Sequence, residues 1–287
     1  THVTDVDFTA GLIGTVEGVN GGVFGGMDWM HVDFTPFFQP TPTSRFDLRF
    51  SVAGIPVRVQ PLFWLIALLL GSSGGALQIV IWVFVVFVSI LVHELGHALA
   101  FRWYGLRSQI LLHFSGGLTI PEATPWGSGY ATVAIGPVQQ ILISLAGPGA
   151  GFVLAGLVIA GVQLLGGSVA ISFLFGLIPL PTSATLPFGG LAGSSFLTMM
   201  LWVNVFWGLI NLLPVFPLDG GHVARNILLL YDPVGGVRKS LWLSVIVGGL
   251  MALAGFVLFR SVYTALLFGL LAFQSYQALQ SRFGGGY

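Results

Sequence analysis

From residue 57 onward the chain alternates long apolar runs with short polar breaks. About 20 apolar residues in a helix, rising 1.5 Å each, cross a bilayer's hydrocarbon core. Residues 57–72 form a short run ended by Gly71-Ser72-Ser73-Gly74-Gly75. Residues 77–101 are longer and apolar on all sides, and residues 137–165 are rich in Gly and Ala. Residues 195–213 make a fourth run. Residues 240–280 are too long for one crossing, so they read as two helices turning near Arg260. The pattern predicts an all-α polytopic membrane protein with about six transmembrane helices.

Two stretches break that rhythm. Ile110, Leu112 and Phe114 fall at every second position, Gly116-Gly117 follows, and Leu118 and Ile120 resume that spacing. Period two around a Gly pair predicts a short β-hairpin or edge strand between the second and third helices. Residues 171–193 carry Pro179, Pro181 and Pro187 and read as a loop or re-entrant piece. The N-terminal part differs again, with Gly pairs at 21–22 and 25–26, a Pro-rich run from Pro36 to Pro42, and the acids Asp5, Asp7, Glu17, Asp28 and Asp33. Residues 1–50 read as a Gly/Pro-rich, flexible extension and 51–287 as the transmembrane domain. No basic region precedes an apolar core in the extension, so it does not read as a signal peptide.

Composition sharpens this. Of 287 residues, 55% are hydrophobic and 7% charged, where soluble domains carry about 25% charged residues. So few charges could not cover a soluble surface. Ten basic residues balance ten acidic ones, and with no basic patch, nucleic acid is excluded as a partner. There is no cysteine, so neither a disulfide nor a thiolate metal site can form. Alternating six crossings from an inside N-terminus places Arg45, Arg49, Arg58, Arg102, Arg107, Arg225, Arg238, Lys239 and Arg282 inside and Arg260 outside. That asymmetry predicts cytoplasmic termini and a site opening toward the cytoplasm.

The second run contains His93-Glu94-Leu95-Gly96-His97. On a helix the two histidines stand one turn apart on one face, where both imidazoles can reach one Zn²⁺. Glu94, about 100° round, can take a proton from water whose pKa zinc lowers toward about 7. Such groups inside an apolar helix are costly and mark function by default. A catalytic zinc site wants a third protein ligand. Glu122 falls in the hairpin region and Asp232 in a polar loop. Asp219 follows Pro214 and Pro217, which cannot continue a regular helix, and irregular backbone at membrane depth lines a cavity or is buried in protein. Asp219 is therefore the best third ligand. His222 reads as a loop or supporting residue, His113 as a hairpin side chain, Asn204 as a helix–helix hydrogen bond, and Ala146-Gly147-Pro148-Gly149-Ala150-Gly151 as close helix packing.

His93 to His97 on one segment, with Asn211, Pro214, Asp219 and Gly220 on a later one, resembles the site-2 protease family of intramembrane zinc metalloproteases. The likeness covers roughly residues 46–230 and includes Gly116-Gly117, Ala146-Gly147-Pro148 and Pro217-Leu218-Asp219-Gly220-Gly221. It implies one Zn²⁺ per chain held by His93, His97 and Asp219, with Glu94 as general base and Asn211 as a catalytic residue that stabilises the oxyanion or holds substrate. It implies a transmembrane protein substrate, taken in some members after a first cut by another protease, hydrolysed within or near its membrane segment in regulated proteolysis. His222 departs from the Arg that many members carry after the Gly pair. Two alternatives compete: a membrane transporter or channel with a buried metal site, and an inactive relative that binds membrane segments without cutting them.

Overall fold

A computed structural model of the chain describes residues 44–71, 75–121, 135–174, 176 and 178–283. The N-terminal half opens with two strands, β1 (Leu48–Val52) and β2 (Ile55–Val59), joined at Ala53-Gly54. The helices α1 (Pro61–Leu70) and α2 (Ala76–Trp103) follow, then β3 (Ser108–His113) and β4 (Gly116–Pro121). The four strands form one sheet in the order β1-β2-β3-β4. β1–β2 and β3–β4 are antiparallel hairpins, while β2 and β3 pair in parallel, Val57 opposite Ile110 and Val59 opposite Leu112.

Parallel pairing needs a crossover between the two strands. Here the α1–α2 pair is that crossover, so the chain leaves the sheet through α1 and returns through α2. The return is tied down where Arg102 Nη1 donates to the Ala53 carbonyl at 2.8 Å. The sheet's inner face (Ile55, Val57, Val59, Ile110, Leu112) packs on Phe63, Ala67, Val86, Ile90 and Ala98 as one apolar core.

The first apolar run is not a full crossing helix. Val57 and Val59 are buried in β2, and only Pro61–Leu70 is helical, about 15 Å long. Pro61 suits this start, because the first helical position has no partner for an N–H. Among the described residues five helices are long and apolar enough to cross a membrane: α2, α3 (Pro137–Leu164), the segment Gly190–Asn211, α7 (Gly236–Val257) and α8 (Val262–Phe283). The predicted turn near Arg260 is present, with Arg260 itself in the left-handed region at φ 49°.

Residues 171–193 are not a loop. They contribute to a second, antiparallel hairpin, β5 (Ser168–Leu174) with β6 (Ile178–Thr185), and to the start of the next helix. Pro179 and Pro181 are tolerated because each strand of a two-stranded hairpin keeps a free edge. The boundary expected at residue 50 falls inside β1, and residues 1–43, with His2 and His31, lie outside the described residues, as do Glu122 and Trp126.

The fourth run is interrupted. It comprises α4 (Gly190–Trp202), a π-helical turn (Val203–Trp207) and α5 (Gly208–Asn211), followed by seven irregular residues and then α6 (Asp219–Tyr231). Asn204, in the π-turn, donates to Ser89 Oγ on α2 at 2.9 Å and to the Met200 carbonyl at 2.8 Å, the interhelical bond expected of it. Val215, at the centre of the break, is fully buried against Phe268 and Leu271 of α8.

Candidate active site

The helix α2 supplies three of the five expected residues by its periodicity alone. His93, Glu94 and His97 are 7%, 5% and 8% exposed, deep inside an otherwise apolar helix. Asp219 arrives from the far side of the break, as the first residue of α6. Its carboxylate lies 3.1 Å from His93 Nε2 and 3.2 Å from His97 Nε2, and the two Nε2 atoms are 3.2 Å apart. Zinc–nitrogen bonds of about 2.0–2.1 Å in a tetrahedron place donor atoms about 3.3 Å apart, so the triangle has the right size for the ion. Its chemistry fits as well. His97 Nδ1–H donates to the Ile143 carbonyl at 2.8 Å, which fixes the tautomer and leaves the Nε2 lone pair facing His93 and Asp219. Two imidazole nitrogens and a carboxylate oxygen converge on one point, a donor set suited to a divalent cation.

Four glycines explain how the backbones come this close. A Cβ on Gly96 would overlap the Ala146 carbonyl of α3, so this glycine makes room for the neighbouring helix backbone. A Cβ on Gly147 would overlap His97 Nε2 and come within 2.8 Å of His93 Nε2. In the Asp-Gly-Gly sequence, a Cβ on Gly220 would overlap the Leu212 carbonyl, and one on Gly221 would lie 2.6 Å from Phe216 N. The residues of the break thus fold back over the first turn of α6, and this is what carries Asp219 to the histidines.

Glu94 is not part of the triangle. The Thr119 hydroxyl on β4 lies 2.7 Å from Glu94 Oε2 and 3.1 Å from the Glu94 carbonyl oxygen. Gly117 packs so closely on the Glu94 side chain that it could carry no Cβ. Asn211 is buried at the end of α5, eight residues before Asp219. The other candidates stand apart from the triangle. Asp232 follows α6, where the Gly235 N–H at 2.8 Å and Lys239 at 2.9 Å hold its carboxyl below the usual range. His113 is buried at the end of β3 beside Ser115 Oγ, and burial pushes its imidazole down to about 4. His222 stacks near Phe216 at 5.0 Å between ring centres.

Neither Gly147 nor Thr119 was singled out from the sequence as a neighbour of these residues. Gly147 was visible only as close packing, and Thr119 had no signal beyond its place beside the Gly pair.

Fold and site together define an integral, multi-pass membrane protein with a buried two-histidine, one-carboxylate centre. Residues 81–253 match the model of Peptidase family M50, and the chain belongs to that family, the site-2 proteases. It is similar to a zinc metalloprotease of Methanocaldococcus jannaschii, 26% identical over 238 residues, which cover 82% of this chain and 57% of the relative. A candidate zinc metalloprotease of Synechocystis is 29% identical over 230 residues, covering 70% of this chain and 51% of the relative. The chain thus spans little more than half the length of these curated relatives. Its backbone also resembles the solved site-2 protease from Methanocaldococcus jannaschii, with 23% identity, a TM-score of 0.49, and coverage of 82% of this chain and 95% of that one.

Proposed function

We propose that the chain is an intramembrane zinc endopeptidase that hydrolyses peptide bonds within or near the transmembrane segments of membrane proteins. The observation that carries the reading is the His93–His97–Asp219 triangle with Glu94 beside it, buried among apolar helices. His93, His97 and Asp219 would hold one Zn²⁺. When bound, the ion supplies Lewis-acid polarisation of the scissile carbonyl and stabilises the charge developing there. Glu94 takes the proton of the attacking water and delivers it to the leaving amine. Asn211 hydrogen-bonds the oxyanion. Burial among α2, α3 and α6 keeps bulk water from competing.

A helical substrate hides its carbonyls in its own hydrogen bonds, so it must unwind before cleavage. Among the described residues β4 has a strand neighbour on one side only, and an extended substrate adds there as a further strand. In this reading the sheet end, which gathers Arg45, Arg49, Arg58, Arg102 and Arg107, faces the cytoplasm together with Arg225, Arg238, Lys239 and Arg282. Some substrates arrive already cut by another protease, in regulated proteolysis.

The test is cleavage of a single-span model substrate in detergent by wild type and Glu94→Gln, with zinc measured in parallel. Gln is nearly isosteric but cannot take the proton, so zinc should stay and the rate should fall about 10²–10⁴-fold. A zinc-replete Glu94→Gln chain that cleaves at the wild-type rate would refute the mechanism.

A further inference from the structure

Glu94 is held by residues whose backbones face away from their own sheet. The Gln60 N–H donates to the Leu112 carbonyl at 2.9 Å, so Leu112 turns its backbone groups toward β2. Backbone direction alternates along a strand, so Leu111 and His113 turn theirs toward β4. Their partners across the register are Leu118 and Gly116. Gly117 and Thr119, the intervening residues, therefore present their N–H and C=O groups to the outer edge of β4. These are the two residues that touch Glu94, Thr119 through its hydroxyl and Gly117 through its bare Cα.

We propose that Thr119 is a positioning residue for Glu94, its hydroxyl aiming the base from the strand on which the substrate is read above to dock. The proposal rests on the protease reading above. A hydroxyl donates one hydrogen bond. Given to Oε2, it fixes the plane of the carboxylate, whose Oε1 rests against Gly117, and so sets the direction in which Glu94 meets the attacking water. A substrate strand paired to Gly117 and Thr119 immobilises β4, and with it the hydroxyl that aims Glu94. Edge occupancy and base alignment are then one event.

The experiment uses the full, zinc-loaded chain with a single-span model substrate. Thr119→Val keeps the shape and removes the donor, while Thr119→Ser keeps the donor. Hydrogen bonds to charged groups are among the stronger ones, so kcat for Thr119→Val should fall about 10-fold to 100-fold. KM should stay within about twofold and zinc content should not change. Thr119→Ser should recover most of kcat. Wild-type kcat in Thr119→Val would overturn the proposal, as would a Ser variant no better than Val, or a Val variant that loses zinc and so reports a structural role. A zinc-loaded wild type that cleaves nothing would sink the protease reading and this inference together, whereas an active wild type beside an unaffected Thr119→Val sinks this inference alone.

Discussion

The centre is assembled from two very different kinds of helix. The α2 segment runs unbroken for 28 residues and brings His93, Glu94 and His97 together by spacing alone. The α5–α6 segment stops at Asn211, loses its regular backbone for seven residues, and restarts at Asp219. In α2 the local sequence decides the geometry. In α5–α6 the geometry depends on contacts with distant elements: Val215 against α8, the Phe216 N–H donating to Ser244 Oγ at 3.0 Å, and Gly220 and Gly221 under the folded-back chain. A regular helix would have freed no backbone groups, whereas here the restart after the break is what brings the Asp219 carboxylate to the two imidazoles.

Removing one member of the triangle from each kind of helix tests whether both are needed equally. Zinc content should fall to near zero in His97→Ala and in Asp219→Ala, with cleavage below detection in both, since a three-ligand site seldom survives as two. Full zinc in Asp219→Ala, measured by metal analysis, would leave α2 as the whole site and dissolve the comparison.

A smaller effect should come from the helix between them. Gly147→Ala places a methyl group against both Nε2 atoms and should lose most zinc affinity and activity. Two residues on, Gly149 faces open space, so Gly149→Ala should retain zinc and gain about 1 kcal/mol of helix stability. Thermal melts and zinc titrations of the pair check this. Equal behaviour would mean that α3 does not press on the histidines.

At the break, Gly221→Ala forces the Val215–Phe216 backbone to move by several tenths of an ångström or more. Zinc affinity should drop about 10–100-fold while the fold persists, because positioning groups around a metal are worth that much. The smallest effect belongs to the bond joining α2 to the π-helical turn ahead of α5. Ser89→Ala removes the interhelical acceptor of Asn204, which keeps the Met200 carbonyl, and should cost about 0.6 kcal/mol of melting stability, as interhelical hydrogen bonds in membranes typically do.

How legible each part was follows the same contrast. The zinc-type motif on α2 could be read because its residues lie within five positions and a helix fixes their relation. Asp219 could be read only through Pro214 and Pro217, which mark a break without saying where the chain goes next. The alternation at 110–120 revealed a hairpin, yet not its neighbours β1 and β2. The pairing of β2 with β3 is parallel and bridges some fifty residues of sequence, across which no local period carries information. The first apolar run was overcounted because Val57 and Val59 are as apolar as any membrane residue, although they are buried in a sheet. The β5–β6 hairpin was hidden by its prolines, which argue against strands in general and are harmless on a free edge.

The burial of Val215 against α8 bears on what the smallest working unit of this architecture is. The family match ends at residue 253, within α7, yet Phe268 and Leu271, which seat the centre of the break, lie beyond it. A Val215 deprived of that seat would lose an apolar contact worth about 1–2 kcal/mol and gain freedom in the one stretch that must hold still for Asp219 to reach the histidines. The boundary of shared sequence and the boundary of mechanical support therefore do not coincide. An autonomous catalytic core, excised for transplantation or redesign, has to be cut after α8.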